Sequence, residues 1–224
     1  MELFLKLVTT AAAAIGAWVA FTGLQTWRAQ LIGKTEYDLA RRLLRGVLEV
    51  REQIAAVRGP FMSAGEMTAA LKEAGVSEPN FLNDTELRKA THLAYDRRWR
   101  RVSKAVSDLQ ADVLEAEVIW GEGICAAHKA LLACVTELYS TLTLYLRAEG
   151  NESLQRRQGD KLESYFEIVY QTSNDPAKDP FSAKVSAAVR AFEQFLRPHL
   201  SLARGARSVA RNEAISPEPP PDDR

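Results

Sequence analysis

The sequence predicts an all-α protein: an N-terminal transmembrane helix followed by a cytoplasmic antiparallel helical bundle with coiled-coil-like seams. Three observations carry that expectation. The stretch from Leu7 to Trp27 (LVTTAAAAIGAWVAFTGLQTW) contains no charged residue. Beyond it, apolar residues recur at steps of three and four, the period of a helix with one buried face. No segment reads as a strand, where every second residue would be apolar.

The uncharged stretch comes first. As a helix rising 1.5 Å per residue it is roughly 31 Å long, close to the hydrocarbon thickness of a bilayer. Trp27 beside Arg28 places an amphipathic ring and a cation where the headgroups begin. A secretory signal would carry a positive start and a small-residue cleavage site after a short apolar core. The start MELFLK is nearly neutral, and the apolar run is too long for such a core. A buried globular helix of this length would show a polar stripe, and none is visible. The residues therefore predict a membrane anchor over 1–27, contacting the bilayer through 7–27. Thr9, Ala12, Gly16, Ala20 and Gly23 form a small-residue stripe that permits close helix–helix approach.

Orientation follows from flanking charge. Arg28, Lys34, Arg41, Arg42 and Arg45 follow the run, against Glu36 and Asp38, whereas only Glu2 and Lys6 precede it. Positive residues stay inside, so the C-terminal body is expected in the cytoplasm of a single-pass inner-membrane protein. Cys125 and Cys134 are the only cysteines. Nine positions apart in a helical pattern, they sit about two and a half turns from one another and cannot bridge internally. Free thiols fit a reducing compartment.

A bundle domain is expected over 28–204. Leu39, Leu43, Val47, Val50, Ile54 and Val57 share one helical face, and the helix should stop at Gly59-Pro60. Ser63 with Glu66 is a capping box opening a short helix that ends before Gly75. Asn83 or Asp84 caps the next helix. Its seam runs through Tyr95, Trp99, Val102, Val106, Leu109, Val113, Ala116 and Trp120. A second seam runs through Ile124, His128, Leu131, Val135, Leu138, Leu142 and Tyr145. Between them the phase slips at Gly121-Glu122-Gly123. That is either a turn between antiparallel helices or a stutter in one long helix. A short helix is expected over Asp160–Tyr170 and a last amphipathic one over Phe181–Leu200, with Val185, Val189, Phe192 and Leu196 on one face. From 205 to 224 the proline-rich, polar tail ending ISPEPPPDDR is expected to be disordered.

The chain offers little chemistry. Lysine plus arginine equals aspartate plus glutamate at 29 each, which argues against a nucleic-acid partner. GEGICA (121–126) fits a dinucleotide fingerprint on paper, but a helix precedes it where the fingerprint needs a strand. Cys125 and His128 share a helical face, yet a zinc site needs further ligands and His92 and His199 are isolated. No catalytic residue, metal ligand or cofactor is expected. In RRWRR (97–101), Trp99 lies on the seam, so a core tryptophan flanked by solvated arginines is the expected arrangement.

Residues 26–61 (TWRAQLIGKTEYDLARRLLRGVLEVREQIAAVRGPF) resemble the region after the anchor in an uncharacterised family of bacterial single-span inner-membrane helical proteins. In these, a Trp-Arg-x-Gln-Leu-x-Gly start leads to an Arg-x-Pro-Phe end. Trp27, Arg28, Gln30, Leu31, Gly33, Arg58, Pro60 and Phe61 carry the match, and AFEQFLRPHL (191–200) resembles their last helix. The resemblance implies a bacterial inner-membrane protein and assigns no activity. Three functions are then open. The first is a structural or interaction scaffold meeting a protein partner or a second copy through helical faces. The others are a signalling rod, which needs an unbroken helix through Gly121–Gly123, and an enzyme with clustered polar groups inside the bundle.

Overall fold

The structure, a computed structural model, describes residues 2–76, 83–149, 151, 153, 156, 159–173, 175 and 178–213. Of these, the side chains of 2–15, 17, 29, 160 and 202–213 are not described. The described residues are all-helical. Six helices follow in order: α1 Glu2–Arg58, α2 Ala64–Glu73, α3 Asp84–Trp120, α4 Gly123–Glu149, α5 Gly159–Val169 and α6 Pro180–Glu213. The chain divides into two compact units, one of Met1–Arg41 with Arg197–Arg224 and one of Arg42–Leu196.

In the Arg42–Leu196 unit four helices form an up-down bundle. Arg42 of α1 pairs with Asp112 and Glu115 of α3. Gly46 lies against Leu109, and the carbonyl of Gly59 accepts from Arg98. Rising numbers on α1 meet falling numbers on α3, so the two are antiparallel. On the far side Lys184 of α6 pairs with Glu137 of α4, and Phe195 reaches Gly123. Those helices are antiparallel too. Shorter α2 packs on α3, and α5 on α4.

Periodicity located this core. Leu43, Val47, Val50, Ile54 and Val57 are all buried on α1, and Val185, Val189, Phe192 and Leu196 are buried on α6. Along α4 the expected seam is buried from Ile124 to Leu142, while Tyr145 is half-buried. The α3 seam is buried at Tyr95, Val102, Leu109, Val113 and Ala116. Trp99, Val106 and Trp120 are only half-buried, a correction for the two tryptophans. An indole is too large to disappear between helices spaced for valine and alanine, so both lean to the margin.

The helix ends have local causes. Proline at 60 has no N–H to continue α1. Ser63 accepts from the Glu66 amide at 3.1 Å, and Asn83, not Asp84, caps α3 by accepting from Thr85 at 2.9 Å. Gly121 settles the phase slip. Its φ of 78° and ψ of −172° lie in a region open essentially to glycine, so α3 and α4 are two helices joined by a turn. The last helix runs past Leu200 as far as Glu213, beyond the expected tail boundary at 205. Residues 214–224, the proline-rich end of that tail, lie outside the described residues.

Backbone helix runs without interruption from Glu2 to Arg58. The side chains of 7–15 and 17 in the expected span fall outside the described residues. Among the described residues, no helix is long and apolar enough to cross a membrane.

Candidate functional site

Three polar or aromatic arrangements stand out in the Arg42–Leu196 unit. The first centres on Arg58, the last residue of α1, which is 2% exposed. Its Nε donates to the Ile168 carbonyl at 2.7 Å and its Nη1 to Ser182 Oγ at 2.7 Å. Its Nη2 serves the Glu167 and Tyr170 carbonyls and the Asp179 carboxylate at 2.9–3.1 Å. Asp179 in turn caps α6, accepting from the Ser182 amide at 2.9 Å and from Ser182 Oγ at 2.9 Å. Burial pushes the Asp179 carboxyl up, but Arg58 and the two Ser182 donors outweigh it, and the group ends below its ordinary value. The open carbonyls at the C-terminus of α5 are thus bonded to a cation, and the N-terminus of α6 to an anion. All three nitrogens of the guanidinium are bonded inside the fold.

Arg98 anchors the second arrangement. It is 8% exposed, and its Nε and Nη2 hold Glu66 in a fork at 2.7 and 2.8 Å. The same guanidinium donates to the Gly59 and Phe61 carbonyls at 3.0 and 2.9 Å, flanking Pro60. Glu66 lies below the usual carboxylate range because Arg98 donates to it. The RRWRR run is therefore not simply solvated: Arg98 is a buried clasp between α2, α3 and the turn after α1. Arg97 and Arg100 pair with Glu73 of α2, and Arg100 also with Asp96. A sequence signal existed, since Glu66 and Glu73 are seven apart on one face of α2 and need cations opposite them.

The third arrangement is aromatic. Tyr170, just after α5, meets Tyr145 of α4 edge to face with ring centroids 5.6 Å apart, and its phenol interacts with those of Tyr145 and of Tyr95 on α3. Burial pushes all three phenols above their ordinary value, so they stay protonated at neutral pH. Next to them a cleft of about 360 Å³ opens between α3 and α4, with Leu142 and Leu146 among its lining. The Trp99 and Tyr139 rings meet in it with centroids 4.7 Å apart and planes tilted by 32°. His92, Asp96 and Arg147 also line it.

The remaining motifs assemble nothing. Gly121-x-Gly123 is a helix–helix turn with no strand before it, so the dinucleotide fingerprint lacks its context. His128 is buried, and its Nε2 has no hydrogen-bond partner among the described residues. Burial lowers its pKa and keeps the ring neutral. Cys125 and Cys134 are free thiols, and burial raises the pKa of both. Among the described residues no group of histidine, cysteine and carboxylate could hold a metal ion.

Chemically, these arrangements hold and bind. Both buried cations have their donors committed to carbonyls, carboxylates and the Ser182 hydroxyl. Comparison with known protein families, with characterised proteins and with solved structures finds no match.

Proposed function

We propose that the protein is a single-pass, membrane-tethered interaction module of the bacterial inner membrane, with its helical bundle on the cytoplasmic side. One observation carries the reading. On α1, Trp18, Phe21, Leu24, Trp27, Leu31 and Ile32 are all exposed, with Trp18 at 68% and Phe21 at 62%. At 100° per residue, these and Val19 spread over more than half of the helix circumference. Apolar surface on that scale is costly in water and marks a membrane or protein contact. The uncharged run Leu7–Trp27 and its basic flank supply the length and direction of a tether. The likeness of 26–61 to single-span bacterial proteins rests on its motif and points the same way.

Two rival functions fare differently. A signalling rod needs α3 and α4 to be one helix, and the turn at Gly121 breaks it. An enzyme site would have to be built from groups other than Arg58, Asp179, Arg98 and Glu66, which bond to one another or to carbonyls.

Fractionation and topology reporters test the tether. The full chain should stay with membranes through salt and alkaline wash and be released by detergent. A C-terminal fluorescent-protein fusion should fluoresce, and a C-terminal alkaline phosphatase fusion should be inactive. Release by alkaline wash would overturn the anchor, and an active phosphatase would reverse the orientation.

A further inference from the structure

We propose that the cleft between α3 and α4 binds a small amphiphilic carboxylate, its apolar body against Trp99 and Tyr139 and its anionic group on Arg147. The volume, about 360 Å³, lies within the range of small-molecule sites. Tyr139 is half exposed although it stacks on Trp99, so a concave aromatic surface is left open to solvent. Leu142 and Leu146, both buried, add apolar lining. Two rings and two leucines are enough for a phenyl group or a short acyl chain.

Charge decides the sign of the ligand. Asp96 is engaged by Arg100 at 3.4 Å, which offsets the one acidic group of the lining. Arg147 and His92 have no hydrogen-bond or ion-pair partner among the described residues. Several other arginines of the unit behave differently. Arg42, Arg58, Arg97, Arg98 and Arg100 all hold carboxylates. An uncommitted guanidinium beside an apolar surface is suited to a planar carboxylate, which it can meet in a two-pronged contact. A cationic ligand would have to displace Arg100 from Asp96 and still face Arg147.

A position in the last turn of α4 also lets Arg147 complement the helix dipole, which is a purely structural role. The experiment separates the two. The full chain is reconstituted in phosphatidylcholine nanodiscs, and ¹⁹F line broadening of 4-fluorophenylacetate is followed against empty nanodiscs. Saturable broadening is expected, about tenfold weaker for Arg147→Gln and for the neutral 4-fluorophenylacetamide, at unchanged helix content by circular dichroism. Octanoate should displace the probe, and octanol should not. Trp99→Leu should weaken carboxylate and amide alike, since it removes part of the apolar wall. Equal binding of acid and amide, full affinity in Arg147→Gln, or broadening no greater than with empty nanodiscs would each overturn the proposal.

Discussion

Arg58 and Asp179 lie 121 positions apart in the chain, yet their side chains form an ion pair at 3.1 Å with both partners buried. The pair ties the end of α1 to the start of α6. A buried ion pair is expensive to desolvate, and this one is supported by three carbonyls and a hydroxyl that together engage all three guanidinium nitrogens. Removing one partner strands the other. Arg58→Ala is expected to destabilise the bundle by about 3–5 kcal/mol, and Asp179→Ala by a similar amount. Urea unfolding of the single and double variants would measure this. The double variant should cost much less than the sum of the two.

Asp179 also sets an acid limit. Its folded pKa lies below its ordinary value of 3.8, so the folded state binds its proton less readily than the unfolded chain. The stability it contributes is fully present above that ordinary value and is lost as pH falls through the lower, folded one. Asp179→Asn should be less stable at neutral pH and show a smaller further loss below pH 3.8, read by chemical denaturation across pH.

His128 acts in the same direction at milder pH. Burial lowers its pKa from 6.5, so the unfolded chain takes up a proton before the folded one does. Stability should fall as pH drops below about 6.5 and level off once the folded-state pKa is passed. His128→Leu, close in volume and free of the unpartnered Nε2, should flatten that dependence. Thermal unfolding at pH 7.5 and 5.0 is the measurement, and an unchanged pH slope would place the titration elsewhere.

Arg98 and Glu66 make the turn after α1 a bonded structure and not a loose link. Lysine at 98 keeps the charge but cannot reach Glu66 in a fork and both carbonyls together. Arg98→Lys should cost about 1–3 kcal/mol. Amide exchange in α2 should rise more than exchange in α4, because α2 loses its hold on α3. Uniform loosening would contradict a local clasp.

The α3–α4 turn has two glycines with different duties. Gly121 needs its positive φ, so Gly121→Ala should cost about 1–3 kcal/mol through backbone strain. Gly123 needs room, since a Cβ there would sit 2.8 Å from Phe195 Cε2. Phe195 in turn faces Trp120 at 6.1 Å between ring centroids. Gly123→Ala should therefore shift Phe195 and change Trp120 fluorescence, whereas Gly121→Ala should lower stability with a smaller spectral change.

Helix existence, order and buried faces were legible in the residues because apolar spacing of three and four admits one solution, a helix with one face inward. Leu43 to Val57 and Val185 to Leu196 followed it without exception. Caps and stops were legible for the same local reason: Ser63 and Pro60 act on their neighbours in sequence. What needed the tertiary structure were contacts that sequence distance hides. No periodicity says that Arg98 turns inward to Glu66, since on a helical wheel it is one more charge beside a seam. Gly121-Glu122-Gly123 was ambiguous because a stutter and a turn shift the phase alike, and only the backbone angle at Gly121 separates them. The aromatic cleft was likewise invisible, since Trp99 and Tyr139 belong to different helices and meet only because that turn makes α3 and α4 antiparallel. Local residue chemistry determined the helices, and long-range packing decided which of their polar and aromatic side chains meet.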